Sequence, residues 1–525
     1  MTSADRVTQP DLFVDVNEKV GIAPVTMEEL EARRIGLQAI LDAGRTPEER
    51  NRMGQFATPS PLAHDILTHA RDLLPAKPKI RFLDPALGSG SFYAALRRVF
   101  DVKQIEEARA FEMDPHYGKP AEALWAPHGL HLTHGDFTRA KPDPSFNLVI
   151  CNPPYVRHHH LSAQDKQHLA TRTLASTGLQ LSGLAGLYCH FLLQAHAWMA
   201  PGALAGWLIP SEFMDVNYGR KIKDYLLGQV SLLRIHRFDP EDIQFADALV
   251  SSAIVWIKNE PPQAGHRVRF TYGGTLGQPA TERHVDAADL AIENKWTRYP
   301  RHGVRDTTGR ATVGDLFKIK RGLATGDNGF FVLDERAVQE RGIPAEALRP
   351  ILPSPRYISG DVIEADAQRL PTHARRLFLL DPRMDESEIE RRYPALAAYL
   401  AEGRGRGLHE RYLCRTRKRW YDQEQREPAP IVCTYLGRVD SKSGRPFRFI
   451  RNLSRATVAN AYLAMYPTAA LEARLANNPG LIDSIWKQLN AILPEDLMGE
   501  GRVYGGGLYK LEPKELAKVP LDGVS

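Results

Sequence analysis

The sequence contains few cysteines and no long apolar run, and both absences exclude classes of protein. Its 525 residues include only four cysteines, at positions 151, 189, 414 and 433, which form no CxxC pair and no zinc-ligand spacing. We therefore expect reduced, structural cysteines and no metal site. No segment approaches the roughly 18 consecutive apolar residues that a membrane-spanning helix requires. The first residues also lack the basic and apolar pattern of a secretion signal, so we expect a cytoplasmic protein.

The chain has little net charge, but its charge is unevenly distributed. The formal charge is +5 for 68 basic and 63 acidic residues, whereas residues 401–460 contain 14 Lys or Arg against 6 Asp or Glu. Within this stretch lies a basic cluster beside aromatic residues: Arg415, Arg417, Lys418 and Arg419. Such a cluster suits contact with phosphate groups, although runs of surface arginine are often only solvated. We predict these four side chains as candidate nucleic-acid contacts.

The length of the chain and its pattern of hydrophobicity predict an extension followed by two domains. Residues 1–50 form the extension, with a helix from Met27 to Asp42 whose predicted apolar face is Leu30, Ile35, Leu37, Ile40 and Leu41. Residues 51–262 alternate short apolar strands with helices, which predicts an α/β domain with a doubly wound, mostly parallel sheet. The predicted strands are Ile80–Leu83, Ala108–Glu112, Phe146–Cys151, Ala205–Ile209, Leu232–Phe238 and Val250–Ile257, with a helix from Leu187 to Met199. Residues 263–525 have weaker periodicity and many glycines and prolines, which predicts a mixed α+β domain.

The most informative motif is Asn152-Pro153-Pro154-Tyr155, directly after the predicted strand Phe146–Cys151. This position is the C-terminal end of a buried strand, where open α/β sheets bind ligands. Asn152 offers an amide oxygen, the carbonyl of Pro153 is a second acceptor, and Tyr155 supplies a flat ring. Together these groups suit a planar amine, whose nitrogen lone pair they would concentrate for nucleophilic attack. The alternative is an ordinary proline-rich strand exit in which Asn152 caps a turn and Tyr155 packs against the core.

Three segments before this motif each place an acid after a strand. Asp84 precedes the glycine turn Pro85-Ala86-Leu87-Gly88-Ser89-Gly90, where it would repel a pyrophosphate but suits the cationic end of a ligand. Glu112 ends the second strand, where carboxylates commonly bind ribose hydroxyls. Asp136 offers an acceptor for an adenine amino group, and Phe137 offers a ring to cover the purine. Each acid alone would be interpreted as a helix cap or a solvated turn, but the four sites in this order describe S-adenosylmethionine beside a methyl acceptor.

These motifs and their order resemble the gamma class of amino-methylating DNA methyltransferases, the TaqI-like N6-adenine enzymes of type II restriction-modification systems. The resemblance spans most of the chain and implies a seven-stranded Rossmann-like methyltransferase sheet, S-adenosylmethionine as cofactor and double-stranded DNA as substrate. It implies that Asp84 binds the amino end of the cofactor and Glu112 binds its ribose. It further implies that Asp136 and Phe137 hold the cofactor's adenine, while Asn152 through Tyr155 hold the target base.

The same resemblance assigns segments on either side of these motifs. Gly54-Gln55-Phe56-Ala57-Thr58-Pro59 looks like the segment that closes over the cofactor, with Thr58 expected at the methionine moiety. Gln244–Val250 looks like the segment whose aromatic residue, here Phe245, packs on the opposite face of the flipped adenine. The alternative for Phe245 is a core phenylalanine before a strand. Residues 317–331 and 504–513 look like the opening and closing motifs of a DNA target-recognition domain, which makes the four basic residues above candidate DNA contacts.

Taken together, the motifs predict a site-specific DNA methyltransferase that methylates N6 of an adenine flipped out of a short duplex recognition sequence. Such methylation would protect the DNA from a cognate restriction endonuclease. The alternative is an enzyme that methylates adenine in RNA or glutamine in protein, because these enzymes share the Asn-Pro-Pro-Tyr motif. They need little beyond a catalytic core, whereas this chain continues for roughly 260 residues beyond Pro262. A non-enzymatic relic of the fold would be expected to lose the acids or the asparagine.

Two further expectations concern partners and metals. About 50 residues before the first motif leave no space for a nuclease domain, so we expect any cognate nuclease to be a separate protein. A monomer is the default expectation for this chain. The run His158-His159-His160 invites a metal interpretation. Three adjacent imidazoles in a loop cannot all reach one ion without strain, so contact with the DNA backbone or plain exposure is the favoured interpretation.

Overall fold

A computed structural model of the protein describes residues 25–239, 251–300, 310–372, 375–441, 443–504 and 507–521. Within these ranges the helices are α1 (Met27–Ala43), α2 (Pro47–Met53), α3 (Ser60–Leu73), α4 (Ser91–Val99), α5 (Pro115–Trp125), α6 (Ala163–Thr177), α7 (Leu187–Gln194), α8 (Arg220–Gly228), α9 (Ala287–Ile292), α10 (Val313–Leu316), α11 (Asn328–Phe331), α12 (Glu335–Glu340), α13 (Glu386–Arg392), α14 (Pro394–Gly405), α15 (Tyr412–Arg415), α16 (Ala469–Asn477), α17 (Leu481–Leu489), α18 (Pro494–Glu500) and α19 (Pro513–Leu516). The strands are β1 (Ile80–Asp84), β2 (Ile105–Glu112), β3 (His131–His134), β4 (Phe146–Cys151), β5 (Met199–Pro210), β6 (Ser231–Arg237), β7 (Ser252–Lys258), β8 (Arg267–Gly274), β9 (Pro279–Asp286), β10 (Phe317–Arg321), β11 (Val332–Asp334), β12 (Leu348–Ile351), β13 (Val362–Ile363), β14 (Leu377–Leu380), β15 (Ile431–Thr434), β16 (Leu436–Gly437), β17 (Phe449–Asn452), β18 (Tyr462–Pro467), β19 (Arg502–Tyr504) and β20 (Leu508–Lys510).

The first domain is built on one twisted sheet with the strand order β3-β2-β1-β4-β5-β7-β6-β8-β9. The pairs from β3 to β5 are parallel, whereas β7 runs antiparallel to both β5 and β6. The chain builds outward from β1 through β2 to β3 and then returns to place β4 on the other side of β1. The order therefore reverses between β1 and β4, and the carboxyl edge at such a reversal is where open α/β sheets bind ligands.

The predicted α/β class is confirmed, and the sheet is larger than predicted. Its first seven strands match the expected seven-stranded sheet, and β8 and β9 extend it to nine strands in the part of the chain that the structure describes. Both added strands lie beyond residue 262, so the sheet continues past the predicted domain boundary. The short strand β3 was not predicted, because its polar sequence, His-Leu-Thr-His, lacks the alternation of a half-buried strand.

Two apolar cores cover the two faces of this sheet. One contains Val149 and Trp207 with the residues of α7, and the other contains Phe82 and Trp256 with the residues of α3 and α4. The predicted helix Leu187–Met199 is shorter in the structure, since α7 ends at Gln194 and Met199 already pairs with the first residue of β4. Helical and strand segments of a fully buried chain are equally apolar, so composition cannot place such a boundary.

The described part of the N-terminal extension, from residue 25, packs against the first domain. Its helix α1 packs on α4 and α5. Of the apolar face predicted for this helix, Leu30 and Leu41 are buried, but Ile35 and Ile40 are exposed. The buried stripe instead includes Glu31 and Arg34, because their side chains form an ion pair that is satisfied inside the protein.

The C-terminal region forms mixed α+β structure, as predicted. A five-stranded sheet of order β10-β18-β15-β17-β13 and two three-stranded sheets are found among its described residues. The five-stranded sheet is packed on one side by α17 and neighbouring segments through Ile485 and Leu489. No helix in the described ranges is long and apolar enough to cross a membrane. All four cysteines are buried.

A buried ion cluster joins the C-terminal region to the segment after β9, whose Trp296 belongs to a core of the first sheet. The carboxylate of Glu500, at the end of α18, contacts Arg298 at 2.5 Å and Lys295 at 3.6 Å. The Nζ of Lys295 also donates to the carbonyl oxygen of Glu500. A cavity of about 210 Å³ lies beside this cluster and is lined by residues of both regions, among them Arg237, Tyr272 and Tyr504.

Candidate active site

A cavity of about 290 Å³ lies at the strand-order reversal of the first sheet. The loops that follow β1, β2, β3 and β4 line it on one side, and α1 with the segment Gly54–Thr58 lines it on the other. We call the segment Gly54–Thr58 the strap. Of the predicted residues, those that line this cavity are Gln55, Phe56, Thr58, Pro85, Ala86, Gly88, Glu112, Asp136, Phe137, Asn152 and Pro154.

The glycine turn after β1 has the shape that a ligand loop needs. Gly88 and Gly90 both have left-handed backbone angles, with φ of 58° and 91°. A Cβ on Gly88 would meet open space, whereas a Cβ on Gly90 would come within 2.4 Å of the Trp125 ring nitrogen. That nitrogen donates to the carbonyl of Ser89 at 2.9 Å and so fixes the turn. Gly90 therefore serves the packing of the turn, and Gly88 leaves room on the cavity side.

Asp84 lies at the end of β1 behind the cavity and is fully buried. One carboxylate oxygen accepts from the backbone N–H of Ala86 at 3.1 Å, whereas Oδ2 has no hydrogen-bond partner. Burial, followed by the nearby Glu112 carboxylate, raises the pKa of Asp84 to about 8. A buried carboxyl with an unused oxygen is ready to accept a cationic or hydrogen-donating ligand group.

Glu112 is the last residue of β2, Asp136 follows β3, and both line the same cavity. Glu112 accepts from the N–H of Gly88 at 2.9 Å and from the N–H of Asp114 at 2.8 Å. Burial raises the pKa of its carboxyl. Asp136 accepts from the backbone N–H and the hydroxyl of Thr138, so the helix-cap alternative describes one of its oxygens correctly. Phe137 is buried among aromatic rings.

The strap crosses the cavity and contacts both of its ends. At one end, Gln55 donates to Asp114 at 2.8 Å, and Arg45 forms an ion pair with the same carboxylate at 2.8 Å. At the other end, the carbonyl of Gly54 accepts from the N–H of Tyr155 at 3.1 Å. A Cβ on Gly54 would lie 2.3 Å from this nitrogen, and its φ is 67°, so only glycine fits there.

Asn152 is held by the strap in one orientation. Its NH₂ group donates to the carbonyl of Phe56 at 2.9 Å and to the hydroxyl of Thr58 at 3.1 Å. Its amide oxygen is buried and has no hydrogen-bond partner. A backbone carbonyl can only accept, so the amide must turn its nitrogen toward Phe56 and its oxygen away from it.

The other residues of the motif support this loop. Pro153 is buried, and Pro154 lines the cavity. The Tyr155 hydroxyl donates to the carbonyl of Leu208 at 3.1 Å, and its ring packs against Phe56 with 5.5 Å between centroids. Tyr155 is 8% exposed, so most of this side chain packs against the core, as the alternative interpretation of the motif expected.

Several cavity residues were not predicted. Helix α1 contributes Gln38 and Asp42, α5 contributes Tyr117, and α6 contributes Asp165 and His168. The hydroxyl of Tyr117 donates to Asp42 at 2.9 Å and fastens α1 to α5. One signal was present in the sequence: Glu31, Arg34, Gln38 and Asp42 follow a helical spacing and form a polar stripe on one side of α1.

The basic cluster divides into internal and exposed side chains. Arg417 donates to the carbonyls of Ala324 and Thr325, both at 2.9 Å, and Arg419 pairs with Asp422. Arg415 and Lys418 are exposed. The two exposed cations are therefore better placed to reach a ligand than the two that stabilise the fold.

Two further predictions have separate outcomes. Phe245 and the rest of residues 240–250 lie outside the described residues. The rings of His158, His159 and His160 pack against one another. No group of three or more His, Cys, Asp or Glu side chains is placed to hold a metal ion in the portion of the chain covered by the structure.

Comparisons with known families match both regions of the chain. Residues 103–244 match the family described as Eco57I restriction-modification methylase. Residues 300–524 match the family described as the C-terminal domain of type II methyltransferase M.Eco57I. The first match covers the loops after β3 and β4, and the second covers the mixed α+β region.

Individual relatives agree with these family matches. Type II methyltransferase M.XamI of Xanthomonas campestris pv. amaranthicola is 29% identical over 482 residues, which cover 89% of this chain and 85% of the relative. Type II methyltransferase M.AccI of Acinetobacter calcoaceticus is 25% identical and covers 90% of this chain and 85% of the relative. The type IIL restriction-modification enzyme MmeI, solved in complex with DNA, has the same fold with a TM-score of 0.58 at 14% identity, over 92% of this chain and 70% of that one.

The sheet and the two family matches define a restriction-modification methyltransferase. The chain belongs to the family of type II restriction-modification methyltransferases.

Proposed function

We propose that this chain transfers the methyl group of S-adenosylmethionine to N6 of an adenine flipped out of a short duplex DNA sequence. The observation that carries the proposal is the orientation of Asn152, whose NH₂ is occupied by the strap while its buried oxygen has no partner. A fixed acceptor at the edge of a cavity suits an exocyclic amine. Membership of a restriction-modification family supports DNA as the substrate class, and methylation would protect that DNA from a cognate endonuclease.

The residues around the cavity fit S-adenosylmethionine. Asp84 has an unused buried oxygen for the cationic amino end, and Glu112 has a carboxylate at the cavity wall for the ribose. Asp136 and Phe137 are assigned to bind the adenine of the cofactor. Gln55, Phe56 and Thr58 belong to the strap and are assigned to cover the cofactor from the other side of the cavity. When bound, this cofactor supplies a sulfonium-activated methyl carbon.

The protein's own side chains are assigned to hold the target amine, and none of them is assigned to form a covalent intermediate. The oxygen of Asn152 and the carbonyl of Pro153 are assigned to accept the two amino hydrogens, which concentrates the nitrogen lone pair. Tyr155, whose hydroxyl donates to the carbonyl of Leu208, is assigned to stack its ring on the base. Cys151 is fully buried and burial raises the pKa of its thiol, which argues against a cysteine nucleophile.

Binding of the duplex is assigned to the mixed α+β region that follows the first sheet. Its exposed cations Arg415 and Lys418 suit phosphate contacts, which fix the register while other side chains read base edges in the major groove. Phe245 is assigned to the face of the flipped adenine opposite Tyr155. We expect the chain to act as a monomer, with any cognate endonuclease as a separate protein.

The test offers tritiated S-adenosylmethionine to the protein with plasmid DNA, total RNA and protein extract in parallel. We expect label only in DNA, on N6 of adenine, as identified by mass spectrometry of the nucleosides. Label on cytosine, on RNA or on protein would contradict the proposal.

The variant that tests the role assigned to Asn152 is Asn152→Ala. It should retain cofactor affinity, because Asn152 is assigned to the target amine, and should lower the rate of methyl transfer by about 100-fold or more. Asn477→Ala, an exposed change in α16, serves as the control and should leave the rate unchanged. A rate for Asn152→Ala within a few-fold of the unaltered protein would exclude the assigned role.

A further inference from the structure

The strap is the only described segment that bonds the side chain of Asn152, and it also lines the cofactor cavity. It is attached to the target loop through Tyr155 N–H to Gly54 O at 3.1 Å and through both hydrogens of the Asn152 amide. It is attached to the cofactor side through Gln55 and Asp114 at 2.8 Å. The strap therefore connects the two halves of the candidate site.

The two bonds to Asn152 have different characters. Phe56 contributes a backbone carbonyl, which no substitution removes. Thr58, a residue that is 6% exposed, contributes a side-chain hydroxyl that lies 3.1 Å from Asn152 Nδ2. An asparagine amide turns about its last torsion with two broad minima, so a single anchor leaves it able to pivot, whereas two anchors fix its plane. The Thr58 hydroxyl thus completes the constraint on the amide.

We propose that Thr58 is a positioning residue for Asn152, whose hydroxyl holds the amide so that the oxygen faces the methyl-accepting amine. This inference rests on the proposed function. It differs from the role that the family resemblance implies for Thr58, which is contact with the methionine moiety of the cofactor. In the structure the Thr58 hydroxyl bonds the asparagine of the target loop.

The consequence concerns rate and not cofactor affinity. Loss of the hydroxyl leaves the strap attached through Gly54 and Gln55, so the cavity wall stays in place. The amide of Asn152 then spends part of its time turned away from the amine. We expect the maximal rate to fall by about tenfold, which corresponds to the upper range for one neutral hydrogen bond.

The experiment compares Thr58→Val, Thr58→Ser and the unaltered protein in single-turnover methyl transfer at saturating cofactor and DNA. Valine keeps the shape of threonine without the hydroxyl, and serine keeps the hydroxyl without the methyl group. We expect the valine variant to be slowed about tenfold, the serine variant to recover most of the rate, and cofactor affinity measured by calorimetry to stay within about threefold for both. Retained cofactor affinity also reports that the valine variant is folded.

The matched control is Thr177→Val, a buried threonine at the end of α6 whose hydroxyl donates to the carbonyl of Thr173 at 3.0 Å. It makes the same chemical change away from the cavity and should leave the rate unchanged. An unchanged rate for Thr58→Val at saturating cofactor would overturn the inference, and so would a slowed rate that serine does not restore. Failure of the unaltered protein to methylate adenine would instead overturn the proposed function, so the two failures are distinguishable.

Discussion

The carboxyl group of Asp84 carries a proton that ligand binding should displace. Burial raises its pKa from an ordinary value of 3.8 to about 8, so the group is mostly protonated at pH 7 in the free protein. Because the folded-state pKa lies above the unfolded one, this group makes the free protein less stable as the pH rises from about 4 to about 8. A cation bound beside the carboxyl favours its ionised form and offsets the free-energy cost of burying that charge.

We therefore expect cofactor binding at pH 7 to release close to one proton. Titration calorimetry in buffers of different ionisation enthalpy measures this number directly. Asp84→Asn should remove the proton release and weaken cofactor binding. Asp72→Asn, a change at an exposed surface ion pair, is the control. Heats that do not depend on the buffer in the unaltered protein would show that Asp84 does not lose a proton on binding.

At the scale of single residues, the sequence predicted positions better than orientations. The positions of Glu112 and Asn152 at the cavity could be predicted because each stands at the end of a strand that adjacent residues make recognisable. The direction of the Asn152 amide could not be predicted, because its partners lie in the strap, 94 and 96 positions earlier in the chain. Likewise, Arg417 and Lys418 are neighbours in sequence, and only the folded chain shows that one bonds carbonyls while the other is exposed.

At the scale of single elements, α1 is unusual because its buried face includes a charged pair, Glu31 and Arg34. Arg34 is 2% exposed and its guanidinium bonds both carboxylate oxygens of Glu31, at 2.7 and 2.8 Å. It also bonds the hydroxyls of Ser89 and Ser91, both at 3.0 Å, at the glycine turn and the start of α4. An arginine of α1 thus supports the turn that lines the cofactor cavity.

Arg34→Ala leaves the Glu31 carboxylate without its cation in a buried site. We expect the free energy of unfolding to fall by about 3 kcal/mol, as urea denaturation would measure, together with weaker cofactor binding. Arg33→Ala, the exposed neighbour on the same helix, should change neither quantity. A loss below about 0.5 kcal/mol would mean that this buried pair does not hold α1 in place.

For α1 the predicted helix is correct, but the prediction of which side chains it buries is wrong. The helix was predicted as Met27–Asp42 and spans Met27–Ala43, because the helical spacing of its apolar residues is a local signal. The choice of the buried face assumed that apolar residues turn inward. A charged pair whose hydrogen bonds are all satisfied can be buried instead, and sequence periodicity does not reveal this partner set.

For the whole molecule, the buried cluster of Lys295, Arg298 and Glu500 links the catalytic sheet to the C-terminal region. Glu500→Ala would leave two cations facing each other in an interior where Glu500 is 5% exposed. We expect the free energy of unfolding to fall by about 3 kcal/mol or more. DNA affinity should fall as well, because the two regions would no longer be held together, whereas cofactor affinity should be retained.

Urea denaturation and titrations with duplex DNA and with cofactor measure these three quantities. Glu495→Ala, an exposed change on the same helix α18, is the control. A Glu500 variant with unaltered stability and unaltered DNA affinity would show that the cluster does not link the two regions functionally.

The first region was predicted in more detail than the second. Alternating strands and helices repeat a recognisable period, so β1, β2 and β4 could be located from their apolar runs. The strands of the second region, such as β13 with two residues and β16 with two residues, are too short to show any period. Their positions depend on pairing between distant segments, for example β10 with β18.

The burial of every native thiol makes the protein a convenient host for spectroscopic labels. Cys151, Cys189, Cys414 and Cys433 are each 0% exposed. A maleimide dye should therefore react with a cysteine introduced at an exposed position, such as Asn477, without prior removal of the native ones. Two such dyes, one on each side of the Glu500 cluster, would report by energy transfer whether the distance between the two regions changes when duplex DNA binds.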